Sequence, residues 1–477
     1  MLELKLEEIK EAVSGEYLQG DCSGKISGIS IDSRTIRNGE LFIAIKGEFF
    51  DGHDFIEDAI KKGASGIIVH KALPIIKTTP ELPVIQVSDT LIALQNLAQY
   101  YRLIHKNLKV IAITGSVGKT STKDITAAIL SEGFNVSKTE GNYNNHIGLP
   151  LTLLKMDGNE DFIVLEMGMS KIGEISVLTD IARPDLAIIT NIGSTHLEFL
   201  GSVENVAKGK SELITGLPED GIAVLNADNR YVSEMHRVFR GKRLIYYGID
   251  SKTAPINKNS GFSVDFFRGR IIKTDYDGST YIRVFNSGKE VELILNKPGK
   301  HNVYNALAAI TVARINGLNW TQIQNGLSKV KFSELRWEVK ELTNGARIIN
   351  DTYNANPLSM RAALKAAKDI ASGRLIVVFG AMLELGEEKE KAHQELGDFI
   401  FQEGIDLLFT VGDTGKLIAD GAINSGMKNN TVFIYKENYK AACKLVQTID
   451  DGDTVLIKGS RGNRMEEIAE ILIGVEE

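Results

Sequence analysis

Ile111-Ala112-Ile113-Thr114-Gly115-Ser116-Val117-Gly118-Lys119-Thr120-Ser121 decides the fold of this chain. The apolar run Val110–Ile113 reads as a buried strand, the glycines as a tight turn, and Lys119 onward as the start of a helix. Gly115 and Gly118 let the backbone bend so that main-chain N–H groups face a phosphate. Lys119 can reach the terminal phosphates and the Thr120 hydroxyl can ligate Mg²⁺, while the helix presents its positive end to the same anion. Gly115, Ser116, Val117, Gly118, Lys119, Thr120 and Ser121 are therefore assigned to a nucleoside triphosphate. The general form of this loop has a glycine five residues before Gly118, and here Ile113 stands there, so the shorter Gly-x-x-Gly-Lys-Thr form is present.

Working outward, 477 residues are too many for one core, and two to four domains are expected. A net charge of −7 argues against nucleic acid as the main partner. The two cysteines, Cys22 and Cys443, lie far apart, so no disulfide framework or cysteine zinc site is expected, and a reducing cytoplasm is the simplest location. The charged, periodic start Met1–Glu8 does not read as a signal peptide, and no apolar run is long enough to span a membrane.

The fold class expected is α/β in three domains: a small N-terminal unit over 1–104, a central phosphate-loop unit with a parallel sheet over 105–332, and a Rossmann-like unit over 333–477. Phe162–Glu166, Leu186–Asn191 and Ile222–Asn226 are short apolar runs suited to a sheet covered on both faces. Between Phe262 and Leu295, glycine-punctuated alternation predicts antiparallel hairpins attached to the central unit. The third unit alternates again, with strands near Leu375–Phe379, Leu407–Val411, Val432–Tyr435 and Thr454–Lys458; Gly380-Ala381-Met382 makes no dinucleotide turn.

Chemistry is sought beyond the carboxyl ends of these strands. Glu166 ends one buried strand and His196 follows another, and both can converge on Thr120; the carboxylate suits Mg²⁺ better than the imidazole does. Lys208 and Lys210, at a helix start, can pair with phosphate or face solvent. Asn302, in a run that opens a helix, suits an adenine edge or a helix cap. Arg336 lies at the boundary of the second and third units, where it can neutralise a transferring phosphoryl group. Asn350-Asp351-Thr352-Tyr353-Asn354-Ala355-Asn356-Pro357 reads as a strand-end site or as turn chemistry. In the first unit, Ser33, Arg34 and Lys46 are the groups expected to hold an anionic or sugar-bearing ligand.

The runs 114–121, Asn191-Ile192-Gly193-Ser194-Thr195-His196, His301-Asn302-Val303-Tyr304-Asn305-Ala306 and the Arg336 element resemble those of the Mur ligases, ATP-dependent amide-forming enzymes of peptidoglycan precursor synthesis. Gly141–Gly148 (with Asn145), Asp351–Pro357, Met382–Gly386 and Lys458–Arg461 are most similar to the branch that joins D-alanyl-D-alanine to a UDP-N-acetylmuramoyl-tripeptide. The resemblance implies ATP and two Mg²⁺ ions, with Lys119 and Thr120 on the phosphates and first ion, and Glu166 and His196 on the second. It implies that Lys210 is carbamylated, since Lys210 rather than Lys208 stands before Ser-Glu-Leu. It further implies Asn302 and Asn305 near adenine, and Arg336 and Asp351 near phosphates and ribose. Ser33, Arg34 and Lys46 fall to the UDP-sugar; Asn145, Asn191, Asn354 and Asn356 also fall to substrate. A monomer without nucleic-acid or membrane partners is expected. Two departures stand out: Leu335 replaces a frequent glycine, and Gly462-Asn463 follows Lys-Gly-Ser-Arg. The rival readings are another amide ligase, acting at a different peptide step or on folate, and a non-enzymatic ATP-dependent switch.

Overall fold

The computed structural model describes residues 3–21, 23–47, 49–71, 79–256 and 261–474, so Cys22 and Glu48 lie outside the described residues. Three principal sheets follow one another along the chain. The first has five strands in the order Glu16–Gln19, Val84–Gln86, Gly66–Val69, Glu40–Ile43, Gly28–Ser30, all parallel except the first pair. The edge strand Glu16–Gln19 and its neighbour Val84–Gln86 are too short and carry too few alternating apolar residues to stand out in the sequence.

The central sheet has nine strands. Lys109–Thr114 lies between Leu186–Ile189 and Phe162–Glu166, parallel to both, and its last five residues are buried. The register places Glu166 opposite Ile113 and Ile189 opposite Thr114, so the chain beyond each neighbouring strand emerges beside the phosphate loop. Helices Lys119–Leu130 and Lys300–Ile315 cover one face; the second is buried nearly all round, as its Ala-rich sequence requires. The expected antiparallel hairpins are present: Ser263–Thr274 pairs antiparallel with Thr280–Asn286, and that strand with Lys289–Leu295, while Ser263–Thr274 also pairs parallel to Arg243–Gly248, so the hairpins extend the central sheet.

One continuous apolar core joins the first unit to the central one. The helix Thr90–Ile104 is capped by Asp89, which accepts from Leu91 and Ile92 N–H. It seats Leu94, Leu97 and Tyr101 in that shared core, and Arg102 pairs with Asp185 at 3.0 Å.

The third sheet has six strands in the order Glu338–Glu341, Arg347–Asn350, Thr454–Lys458, Leu375–Phe379, Leu407–Val411, Val432–Tyr435, with only the first pair antiparallel. Insertion of the last strand between Arg347–Asn350 and Leu375–Phe379 brings the loops after Asn350, Phe379 and Lys458 side by side. These are the three strand-end loops rich in polar residues.

Candidate active site

The phosphate loop is shaped by its glycines and braced from below. Gly115 has φ +152°, and a Cβ there would lie 1.9 Å from Thr190 Oγ1. Gly118 has φ +86°, and a Cβ there would lie 2.3 Å from Asn305 Oδ1. Only glycine fits either place. Asn191 Oδ1 accepts from Val117 N–H (3.0 Å) while its Nδ2 donates to Val117 O (2.9 Å). Both ends of this side-chain amide are thereby committed to the loop, so Asn191 holds the loop's shape rather than presenting an amide to substrate. Ser116 Oγ donates to Gly193 O (3.1 Å) and accepts from Gly193 N–H (3.0 Å).

Around the loop stand Lys119, Lys210 and Glu166. Lys119 Nζ donates to Gly115 O at 2.8 Å. Burial lowers its pKa, an effect that Glu166 opposes and the Arg336 cation reinforces. Lys210 is 1% exposed on the helix Val203–Thr215, whereas Lys208 faces solvent. Burial first and the Lys119 charge second hold the Lys210 amine well below the ordinary lysine range, with Glu166 the opposing carboxylate. Glu166 is 4% exposed; its Oε1 accepts from Asn144 Nδ2 (2.9 Å), and Oε2 is buried without a partner. An orphaned carboxylate oxygen in the cavity that the Thr120 hydroxyl also lines is a donor set suited to a hard divalent cation. Among the described residues no three His, Cys, Asp or Glu side chains group into a metal cage, so bound ions would need oxygens from elsewhere.

The remaining groups come from across the central–third interface. His196 adopts φ +55° and its Nδ1 lies 2.6 Å from Glu384 Oε2 in the Leu383–Gly386 loop, without hydrogen-bond alignment. The His196 contact holds the Glu384 carboxyl below the usual range. Glu198 N–H donates to Glu384 O at 3.3 Å, completing the junction. Arg336 reaches Thr120 Oγ1 through Nη2 at 3.4 Å, and its guanidinium lies 4.1 Å over the Tyr353 ring; Nε is buried without a partner. Leu335 (φ +59°) and Trp337 (φ +55°) flank it, and two such left-handed non-glycine residues cost on the order of 1–2 kcal/mol each. Relative to glycine, Leu335 thus makes this elbow more strained.

Asn302 and Asn305 are 4% and 5% exposed on the helix Lys300–Ile315. Asn302 Nδ2 donates to Pro298 O (2.8 Å), and Asn305 packs against Gly118. Asp351 does not line the cavities described below; it pairs with Lys458 Nζ at 2.6 Å, and Lys458 also donates to Asn354 O (3.0 Å). His301 is pushed down to about 4 by burial.

Two cavities, of 890 Å³ and 760 Å³, meet along a shared wall containing Ser116, Lys119, Thr120, His196, Tyr353 and Glu384. Asn354 and Asn356 line both. Asn356 Oδ1 also accepts from Ser359 N–H (2.9 Å) and caps the helix Pro357–Ile370. Asn145 lines the smaller cavity and uses Oδ1 to cap Gly148 N–H (2.8 Å). Ser33, Arg34 and Lys46 are not brought to this wall. Ser33 is buried; Arg34 is exposed and paired with Asp32 at 2.8 Å; Lys46 forms an isolated bridge with Asp51.

Four residues at or behind this wall escaped sequence reasoning: Asn144, Tyr353 as a platform, Glu384 as the partner of His196, and Lys297, which donates to Arg336 O at 2.6 Å. Asn144, Tyr353 and Glu384 lay inside runs already singled out; Lys297 carried no signal of its own.

The chain matches three family descriptions: "Mur ligase family, catalytic domain" over residues 25–102, "Mur ligase middle domain" over 113–313, and "Mur ligase, glutamate ligase domain" over 335–461. It is similar to the UDP-N-acetylmuramoyl-tripeptide–D-alanyl-D-alanine ligase of Bacillus subtilis, 38% identical over 476 residues with 99% of each chain covered. The Escherichia coli protein of the same name is 35% identical over 473 residues, again with 99% of each chain covered. Among solved structures, MurF from Acinetobacter baumannii superposes with a TM-score of 0.88 at 28% identity, covering 99% of both chains. MurF ligase from Thermotoga maritima in complex with ADP gives a TM-score of 0.80 at 29% identity, covering 94% of this chain and 97% of that one. With relatives this similar over its whole length, and with the phosphate loop, the Glu166 carboxylate and the interdomain Arg336 lining one cavity, the chain belongs to the Mur ligase family.

Proposed function

We propose that this chain is the ATP-dependent ligase that joins D-alanyl-D-alanine to UDP-N-acetylmuramoyl-tripeptide, releasing ADP and phosphate. One observation carries the reading: residues of the central and third units meet on one wall between two cavities, with the phosphate loop on that wall and His196 docked on Glu384. A nucleotide and an acyl substrate can thus approach the same few atoms from two sides.

The tripeptide carboxylate oxygen attacks the γ-phosphorus, the bond to ADP breaks, and an acyl phosphate forms. The D-alanyl-D-alanine amine nitrogen then attacks the acyl carbon, phosphate leaves, and the nitrogen gives up its proton. Lys119 and Arg336 lower the repulsion between carboxylate and triphosphate, and the main-chain N–H groups of Gly115 to Ser121 orient the phosphates. Glu166, His196 and Thr120 would hold two Mg²⁺ ions, which supply charge neutralisation on the transferring phosphoryl oxygens. Lys210, neutral more readily than a surface lysine, is suited to carbamylation by CO₂, which would turn a buried amine into an anion able to help hold those ions. Asn302 and Asn305 serve the adenine end, and Asp351, paired with Lys458, serves the ribose and phosphates. Asn145, Asn354 and Asn356 line the acyl and dipeptide side, and Asn191 serves it by bracing the loop. Ser33, Arg34 and Lys46 hold the UDP-sugar. Domains divide at 104/105 and 332/333, and closure across the second boundary keeps water from the acyl phosphate. The chain works in the cytoplasm as a monomer of 52.3 kDa.

Phosphate release from ATP with UDP-N-acetylmuramoyl-tripeptide is expected to require D-alanyl-D-alanine and to yield a product heavier by one dipeptide. Release with single amino acids but not with the dipeptide would move the substrate to another step. Nucleotide binding without release, whatever the acceptor, would overturn the reading.

A further inference from the structure

The segment Lys331–Trp337 crosses between the central and third sheets and delivers the Arg336 guanidinium to Thr120. It is gripped from two sides. On one side stands Asp124, 2% exposed on the helix that follows the phosphate loop. Its Oδ2 accepts from Ser333 N–H (3.0 Å) and Ser333 Oγ (2.8 Å), while Oδ1 faces Lys138 Nζ at 2.7 Å. On the other side Lys297, 8% exposed, donates from Nζ to Arg336 O at 2.6 Å and stands 3.7 Å over the Phe332 ring. The elbow between these points is left-handed at Leu335, and again at Trp337 just beyond. Non-glycine residues keep that conformation only where surroundings impose it.

Both gripping side chains sit on elements that also face the phosphate loop. Asp124 lies four residues from Thr120 on one helix, so the two are neighbours along it. Lys297 immediately precedes the turn into the helix whose Asn305 packs on Gly118. We propose that Asp124 and Lys297 form a two-sided latch that positions Arg336, so that placement of the interdomain arginine depends on the arrangement of the two helices flanking the phosphate loop. Neither residue contacts the reacting atoms; both are positioning residues. The latch deepens the ligase reading given above and rests on it for its catalytic consequence, but not for its nucleotide response.

A bland alternative makes Asp124 a buried counter-charge for Lys123 and Lys138 (3.4 and 2.7 Å), stabilising the central unit without reference to Arg336. Two readouts separate these. Trp320 and Trp337 are the only tryptophans, so Trp320→Phe leaves one indole, beside Arg336 and 6% exposed. In that background a non-hydrolysable ATP analogue is expected to shift Trp337 emission, and Lys297→Met or Ser333→Ala to reduce the shift by at least about half. In ligation, Lys297→Met and Ser333→Ala are expected to lower kcat about tenfold with KM for ATP within about threefold, Lys297→Arg to recover part of it, and Lys297→Met to add nothing in an Arg336→Ala background. Asp124→Asn leaves Lys123 and Lys138 without their carboxylate and can fail to fold; Lys297→Met replaces a buried cation by an apolar chain of similar length and carries the test. Additive losses in the Arg336→Ala background, a loss confined to KM for ATP, or a Trp337 signal indifferent to nucleotide would overturn the latch. If no acceptor is ligated but the Trp337 shift and its loss in Lys297→Met remain, the ligase reading fails and the latch stands.

Discussion

The phosphate loop and the Leu335–Trp337 elbow each hold a cation at the nucleotide site, Lys119 on Gly115 O and Arg336 on Thr120 Oγ1, but they acquire their shapes by opposite means. The loop bends at Gly115 and Gly118, where no side chain fits. Its strand, turn and helix are consecutive in sequence, and Lys119 closes back on Gly115 O four residues away. The elbow bends at leucine and tryptophan, which resist the left-handed conformation. It is held by groups from distant parts of the chain: Asp124, Lys297, and Tyr353, whose N–H donates to Leu335 O at 3.1 Å. A shape that glycine permits survives the loss of any one contact. A shape imposed by distant contacts exists only when those parts have assembled, which suits a group meant to arrive late.

The largest expected effect breaks the loop. Gly115→Ala places a Cβ 1.9 Å from Thr190 Oγ1, and ATP binding measured by calorimetry should weaken by about 100-fold, since losing one or two hydrogen bonds to phosphate, at about 1.5–3 kcal/mol each, costs that much. Retained binding would mean that the loop's shape is imposed from outside, as the elbow's is.

A smaller effect sharpens the electrostatic side of the comparison. The folded-state pKa of Lys210 is depressed, so the unfolded chain binds the extra proton between that depressed value and the ordinary lysine value of 10.5. Stability contributed by this site therefore rises with pH through that window and is constant at its lowest below it. Lys210→Met should raise Tm at pH 7 by a few degrees, abolish ligation, and lose its Tm advantage as pH approaches 10.5. An equal Tm difference at pH 7 and 10.5 would show that the amine is compensated in the unliganded protein.

The smallest effect concerns the assembled side. Glu384 is held below its usual 4.5 by His196, so the carboxylate's share of this contact is fully present above pH 4.5 and is lost as pH falls through the depressed value. Glu384→Gln should remove this pH dependence and enlarge the radius of gyration at pH 7 by about 1 Å in X-ray scattering, as the third unit opens. Unchanged scattering in the variant would leave closure to the latch at Arg336 alone.

Legibility followed the same division. The buried strands, the loop and the convergence of Glu166 and His196 on it could be read from apolar runs ending in polar residues, because a parallel sheet exposes its ligands at one set of strand ends. The Asp351–Lys458 pair could not: it depends on Thr454–Lys458 being inserted beside Arg347–Asn350, more than a hundred residues earlier. The resemblance assigns Asn191 to substrate; the bond pattern that turns its amide toward Val117 is invisible in one dimension. The choice between Lys208 and Lys210 rested on resemblance, and burial of one with exposure of the other is a property of the helix's facing.

By itself the sequence determined the three α/β units, the nucleotide site and the chemical types assembled there, because glycine turns, apolar periodicity and strand-end polarity act over a few residues. Only the tertiary structure decided which charges oppose one another: His196 with Glu384, Lys458 with Asp351, Asp124 and Lys297 around the Arg336 elbow. The reason is distance. Charge pairing, burial and strain depend on which chain segments lie within about 4 Å, a relation that folding creates and sequence separation does not encode.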